Sequence, residues 1–549
     1  MTMQATRNPT GWGYVEQALK PEERKRLMGT IGSVFSSQRL EERPAPPVEA
    51  IELPRSRIGI PARFAKWRTD SFPPPLHTAP GAVQSWMSDS PQERVLHALG
   101  RSFRDLAQLR TGKLPVAPDV VARPASLEDL EILLEWANAE GYAVIPFGGG
   151  SSVVGGVTPE GTEQFPACLA LDLQGLNRVL EINPRDRVVH AEAGILGPAL
   201  DEILRPQGLT VRHYPQSYYH STLGGWVAAR GAGHFSTLHA KIEDRVQALS
   251  VMLPDGRRAQ TRALPASSVG PDPNRLWCGS EGALGIITDV RLRVLPVPQH
   301  TATAGVLFNT FEQALEAARE IVQAGLWPAQ LRLLDPFEHM MSSLLAGRPA
   351  SGALMIIGYE SATREVESAL KAAVAVAQAN GGQPRESGRE GATQAWREAF
   401  FRQPYIRDTL LDYGIIAETF ETAVPWSRLP DFYRNVRQAT LDAVLKTCGA
   451  GGVNCRTTHA YPDGISLYFS FFAHGRHGAL VEQWAEIKAA ATEAVMANGG
   501  TASHHHAMGR DHKRWAKQEI PAAFRAAIRG AKRELDPKGI LNPGLWFED

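Results

Sequence analysis

The stretch Tyr142–Val157, YAVIPFGGGSSVVGGV, decides how the fold is read. A strand-like apolar run reaches Pro146 and breaks into Gly148, Gly149 and Gly150. Ser151 and Ser152 follow, then Gly155 and Gly156. Glycine lets the main chain turn tightly and approach a ligand without a side-chain collision. Successive bare N–H groups in such a turn form a concavity that suits a phosphate. A cofactor carrying a pyrophosphate is the first expectation, and a glycine-rich surface loop is the plain alternative. The dinucleotide pattern G-x-G-x-x-G fails, because a match from Gly148 needs glycine at Val153. The triphosphate loop fails as well, since no lysine follows Gly155 and Gly156.

Two further segments bear on the choice. Tyr214–Gly225 reads YPQSYYHSTLGG and runs on into Trp226–Gly233; Gly279–Thr288 reads GSEGALGIIT. Each joins a small-residue turn to an apolar run and offers hydroxyls and main-chain donors to one extended ligand. With these three segments in order, the chain resembles the vanillyl-alcohol-oxidase-type flavoprotein superfamily. That resemblance implies FAD lying between two subdomains and held mainly by backbone.

Composition agrees with a large globular protein. The chain has 549 residues, too many for one ordinary core, and is 43% hydrophobic and 21% charged. Lys+Arg and Asp+Glu both number 58, so net charge gives no argument for a nucleic-acid partner. No apolar run approaches the roughly 20 residues that span a bilayer. The first residues lack the apolar core of a secretory signal, and the last three are not the peroxisomal tripeptide. Cys168, Cys278, Cys448 and Cys455 are too scattered for a disulfide framework or a zinc ribbon, and they suit a reducing compartment. A cytoplasmic protein is expected.

Along the chain, residues 1–113 read as an arm with a helical stretch from Val15 to Phe35 and proline runs at Arg43–Pro47 and Phe72–Pro75. Residues 114–297 alternate strands and helices as a cofactor domain. Ser126 begins a helix as N-cap and Gly141 stops it. Strands are expected at 119–124, 169–173 and 188–193, and a helix from Gly197 to Gly208. Residues 298–508 read as a cap domain with helices at 311–324, 364–380, 429–446 and 477–498. Its strands fall at 331–334, 354–359, 415–420 and 466–472, in a large antiparallel sheet covered by helices on one face. Residues 509–549 are mostly helical and close with Asp536–Gly544, DPKGILNPG. The fold class is α+β: a two-subdomain FAD-binding domain plus an α+β cap.

Ser503-His504-His505-His506 is the most conspicuous cluster of reactive side chains. Three readings stand. Histidines on one side of a strand, His504 and His506 with Asp511 or His512, suit a metal. A partly exposed loop needs no function. An imidazole beside a flavin suits proton transfer near neutral pH.

Further motifs narrow the resemblance. Pro404-Tyr405-Ile406-Arg407-Asp408 precedes Glu418-Thr419-Phe420-Glu421-Thr422-Ala423-Val424-Pro425-Trp426. Tyr461-Pro462-Asp463-Gly464 precedes Leu467-Tyr468-Phe469-Ser470-Phe471, and the triple histidine follows. In this combination the chain resembles the alkyldihydroxyacetonephosphate synthases, flavoenzymes of ether-lipid synthesis. The hydroxy-acid dehydrogenases of the superfamily match less well. Their H-x-G-D-G-N is here His459-Ala460-Tyr461-Pro462-Asp463-Gly464-Ile465, and the Glu of their S-G-E-H is His505.

The resemblance implies Tyr468 as catalytic tyrosine and His504, His505 and His506 as an essential run, with His505 carrying the proton. It implies Arg407 and Arg332 as substrate-binding residues. For FAD it implies Pro146, Phe147, Gly148, Gly149, Gly150, Ser151 and Ser152. It adds Gln216, Ser217, Tyr218, Tyr219, His220, Ser221 and Thr222, with Gln216 where the family has aspartate. Ala229, Arg230, Gly231 and Ala232 follow, then Glu281, Gly282, Ala283, Leu284, Gly285, Ile286 and Ile287. No resident metal is expected. The reaction implied exchanges the acyl group of acyl-dihydroxyacetone phosphate for a fatty alcohol without net redox. A homodimer drawing lipid from a membrane surface is expected. The alternative is an FAD-linked oxidase or dehydrogenase of a 2-hydroxy acid or alcohol.

Overall fold

The computed structural model describes residues 6–34, 40–65, 86–345, 350–385 and 391–546. The run Phe72–Pro75 and the end of the Val15–Phe35 stretch lie outside the described residues. Within that stretch a short 3₁₀ turn, Val15–Gln17, precedes the helix Pro21–Val34.

The glycine turn is fixed by its neighbours. Ala143–Phe147 lies parallel to Cys168–Asp172, which lies parallel to Val120–Ala122, in a four-stranded sheet edged by Met87–Ser88. The connecting helix Leu127–Glu140 starts where the Ser126 hydroxyl accepts the Asp129 N–H. It ends at Gly141, whose φ of 69° is the left-handed cap. Leu130, Leu133, Leu134 and Ala137 recur at helical spacing and are buried against the sheet. A second, five-stranded sheet is antiparallel: Val179–Asn183, Val188–Glu192, Ile286–Arg293, Val246–Met252 and Arg258–Gln260 in spatial order. The helix expected to reach Gly208 stops at Leu204 and continues as a 3₁₀ turn, because Pro206 has no N–H to give an α-helical bond.

The cap is a seven-stranded antiparallel sheet. Its spatial order is Gln383–Arg385, His300–Phe308, Ala353–Ser361, Gln330–Leu334, Gly451–Ala460, Gly464–His474 and Ile415–Pro425. The helices Phe311–Gln323, Glu367–Ala379, Leu429–Cys448 and Leu480–Ala497 share one core with one face of it. The other face is not bare, as it carries Pro336–Leu345 and Gly391–Asp412 and looks toward the cofactor domain. Successive strand residues point to opposite faces. In Gly464–His474, Ile465, Leu467, Phe469, Phe471 and Ala473 enter the helical core, whereas Tyr468, Ser470 and Phe472 face a cavity. The same parity sends Leu331 and Leu333 inward and Arg332 toward the cavity, and Val453 and Cys455 inward with Asn454 and Arg456 opposite.

Gly391–Asp412 is a 22-residue helix with Pro404 inside it. None of the expected elements covers this span, and an internal proline, which removes a main-chain donor, argues against a helix there. Phe400, Gln403, Pro404, Arg407 and Leu410 recur at spacings of three and four and line the cavity from this helix.

Candidate functional site

One cavity of about 390 Å³ runs between the cofactor domain and the cap. Its floor is the glycine turn. A Cβ on Gly149 would run into the carbonyl of His220, and one on Gly148 into the Thr222 hydroxyl. Glycine is therefore required here by close approach of two loops. Among the described residues, the N–H groups from Gly148 to Ser152 have no protein acceptor. Gly150 is buried and its neighbours are half-buried, and a row of unpaired main-chain donors lining a cavity fits a phosphate-bearing ligand. The third loop locks onto the first. Gly282, at φ +77°, sits against the Pro146 ring. The Asn542 side chain donates to the carbonyls of Glu281 (2.8 Å) and Gly156 (3.1 Å). Glu281, half-buried, accepts the Met508 and Gly509 N–H groups, both at 3.1 Å, and loss of solvent around its carboxyl lifts it to about 7.

All seven positions from Pro146 to Ser152 line the cavity, as do Gln216, Ser217, Ser221, Thr222, Ala229, Ala232, Glu281, Gly282, Ile286 and Ile287. Tyr218, Tyr219, His220, Arg230, Gly231, Ala283, Leu284 and Gly285 stand outside it. The Tyr218 hydroxyl donates to Gly197 and its ring packs on Trp226. Tyr219 leans on Phe401, and His220 lies edge-on to Trp12. Arg230 turns out in a left-handed conformation to pair with Glu243 at 3.1 Å, and the Gly231 N–H closes the preceding helix on Trp226. Ala283 and Leu284 are buried behind the wall, and Gly285 backs onto Leu253 and Val251.

Opposite this floor stand the polar groups of the cap. Tyr468 is buried, its hydroxyl donating to Thr419 Oγ1 at 3.0 Å, and the Arg456 guanidinium lies 4.5 Å from its ring centre. Burial raises the phenol's pKa, and Arg456 works against that rise. The His505 ring stacks on Tyr468 at 6.0 Å, and the His506 ring stands edge-on to it at 5.5 Å. His505 and His506 line the cavity, whereas His504 sits behind them with Nε2 2.6 Å from the Tyr461 hydroxyl. Burial holds His504 and His506 well below the ordinary imidazole range, so both are neutral at pH 7.

The sequence reading passed over the group that shapes this loop. Glu421, directly across the sheet from Tyr468, accepts the N–H of His504 (2.7 Å), His505 (3.0 Å) and His506 (2.9 Å) and the Ser503 hydroxyl (2.8 Å). Burial disfavours its charge. The attraction and hydrogen bond of His505, foremost among the neighbouring groups, outweigh that and hold the carboxyl well below its usual range. Residues 503–506 form a loop rather than a strand, so alternation does not select His504 and His506 as partners.

Arg332 and Arg407 both reach the cavity. Among the described residues Arg332 donates only to the carbonyls of His234 and Thr457, and burial, with Arg456 beside it, lowers its pKa to about 9. Arg407 donates to the Arg101 carbonyl at 2.8 Å, and its buried Nε has no partner among the described residues. Neither faces a carboxylate within ion-pair distance among the described residues, an arrangement suited to an anionic ligand. Arg456, also missed from sequence, is held by Glu338 and Gln403. The far end of the cavity is apolar, walled by Leu27, Ile31, Met341, Leu410 and Phe472.

Comparisons with known proteins agree with this division. Residues 118–262 match a family model described as an FAD binding domain, and residues 297–545 one described as the C-terminal domain of FAD linked oxidases. The chain is 32% identical over 483 residues to the alkyldihydroxyacetonephosphate synthase of Dictyostelium discoideum, covering 83% of this chain and 78% of that protein. A solved structure of an alkyldihydroxyacetonephosphate synthase superposes with a TM-score of 0.81 at 27% identity, covering 99% of this chain and 98% of that one. The structure of p-cresol methylhydroxylase, 13% identical, superposes with a TM-score of 0.64 over 84% of this chain and 93% of its own. That likeness speaks for the shared fold.

Proposed function

The chain belongs to the alkyldihydroxyacetonephosphate synthase family of FAD enzymes, and on that footing we propose which of its residues carry the reaction. The family's activity replaces the acyl group of an acyl-dihydroxyacetone phosphate by a fatty alcohol without net redox. The observation that carries the assignment is the pairing of Tyr468 and His505, stacked at 6.0 Å in the same cavity as the glycine turn. FAD, when bound, supplies the ring chemistry that lets one oxygen substituent on carbon be exchanged for another.

The protein's own groups do the rest. The N–H row from Gly148 to Ser152 takes the cofactor's pyrophosphate. Arg407 and Arg332 hold the substrate phosphate, since guanidinium matches its oxygens in charge and geometry. The departing acyl group leaves as a carboxylate, and the incoming alcohol must lose its hydroxyl proton. His505 takes that proton, and Tyr468, held by Thr419, orients the reacting oxygen. The apolar end from Leu27 to Phe472 takes the long chains, which keeps water from competing with the alcohol. Among the described residues no helix is long and apolar enough to cross a membrane.

Incubating the FAD-loaded protein with palmitoyl-dihydroxyacetone phosphate and hexadecanol should give the ether product by mass spectrometry. Tyr468→Phe and His505→Ala should abolish it while keeping the flavin bound. Product at the wild-type rate in both variants would overturn the residue assignment. Rapid flavin bleaching by a 2-hydroxy acid would instead favour the oxidase reading.

A further inference from the structure

Behind the stacked pair lies a cluster that the proposed reaction does not use in full. His459 sits in the strand Gly451–Ala460 just past a register shift between Thr457 and His459, where the extra residue turns its side chain to the cavity face. One ring nitrogen from each of His459, His504 and His505 lies within 4.8 Å of the others. Three features orient these rings. His459 Nε2 is 3.0 Å from the Gly233 carbonyl. A carbonyl only accepts, so Nε2 carries the hydrogen and Nδ1 is left with a free lone pair. That Nδ1 is buried and has no partner among the described residues, although the residue is only 3% exposed. His504 Nε2 meets the Tyr461 hydroxyl at 2.6 Å, which directs its Nδ1 to the Nδ1 of His505, 3.0 Å away.

We propose that His459, His504 and His505 form a binding site for a divalent transition-metal ion of the zinc type. Neutral imidazoles are the preferred nitrogen ligands of such ions. A carbonyl and a phenol fixing the outer nitrogens are the outer-shell partners such ligands ordinarily have. Burial keeps His459 and His504 unprotonated, so neither has to lose a proton first. Glu421, 3.3 Å from His505 Nδ1, supplies compensating negative charge while keeping its bonds to the loop. The ligand set differs from the His504 and His506 pairing read from sequence. It draws on His459, 45 residues upstream of His504, and leaves out His506.

The ion would compete with turnover rather than serve it. This consequence rests on the proposed role of His505, since a coordinated nitrogen cannot take a proton; the binding itself does not depend on that role. The test uses metal-free, FAD-loaded protein titrated with zinc chloride by calorimetry and by equilibrium dialysis with elemental analysis. One zinc per chain is expected. His459→Ala and His504→Ala should each lose it, and Tyr461→Phe should weaken it about 10- to 100-fold, the usual effect of an outer-shell change. Cobalt chloride should give visible ligand-field bands on the long-wavelength side of the flavin absorption, and these should be absent in His459→Ala. Failure of the wild type to take up zinc would overturn the site, as would equal uptake by both alanine variants. Stoichiometric zinc with turnover intact would support the site and overturn the proton role of His505.

Discussion

Glu421 lies in the strand Ile415–Pro425 with its side chain wholly buried, and its two oxygens accept three consecutive main-chain N–H groups and a hydroxyl. A charged acceptor with this many donors fixes the path of residues 503–506 as a helix terminus fixes an anion. Glu421→Gln places an amide N–H₂ against those donors and leaves at least one unsatisfied, a cost of about 1–3 kcal/mol. Thermal unfolding should show that loss, and ether formation should drop with the flavin still bound. The pH dependence has a definite sign. The folded carboxyl titrates below its unfolded value, so its stabilisation is complete above about pH 4.5 and is lost as pH falls through the lower, folded value. The gap in stability between wild type and Glu421→Gln should therefore close on acidification below about pH 4.5. Parallel unfolding profiles down to pH 3 would contradict this account.

At the scale of elements, the strand Gly464–His474 separates stability from chemistry between adjacent residues. Phe469 is fully buried, stacked on Phe420 at 5.0 Å, and its neighbour Tyr468 faces the cavity. Phe469→Ala should cost about 3–5 kcal/mol as a core cavity. Tyr468→Phe should leave the melting temperature nearly unchanged while ending turnover. Denaturant midpoints and product assays on the two variants would settle this, and a comparable stability loss in both would count against it. The strand that makes this possible was legible over residues 466–472, as were the Ser126 and Gly141 helix limits and the glycine turn. The helix Gly391–Asp412 was not, because Pro404 outweighs its periodicity when no packing partner is in view. The role of Glu421 was hidden because its partners lie more than 80 residues away, and that of His459 because a bulge, invisible in sequence, sets its direction.

Across the whole molecule, a short segment near residue 10 ties the two halves together. Arg7 donates to the Gly149 carbonyl at 2.5 Å, and the Tyr14 hydroxyl to the Tyr219 carbonyl at 2.9 Å. The Trp12 N–H donates to Asp408 at 2.6 Å, and the Trp12 ring walls the cavity. This segment thus touches two loops of the cofactor domain and the helix Gly391–Asp412 of the cap. Arg7→Ala combined with Trp12→Ala should raise the dissociation constant for FAD at least about tenfold, the effect of about 1.4 kcal/mol. Flavin absorbance after exhaustive dialysis would report it, and undiminished retention would refute it.

The Trp12–Asp408 bond joins residues 396 apart. Residues 7–14 leave the ribosome long before the helix they clasp exists, so they remain unseated through most of synthesis. Contacts of such separation form late and slowly. The order expected from this separation is capture of FAD first and seating of residues 7–14 last. Enzyme made under riboflavin starvation should accumulate in that unlatched form, with residues 7–14 open to proteases.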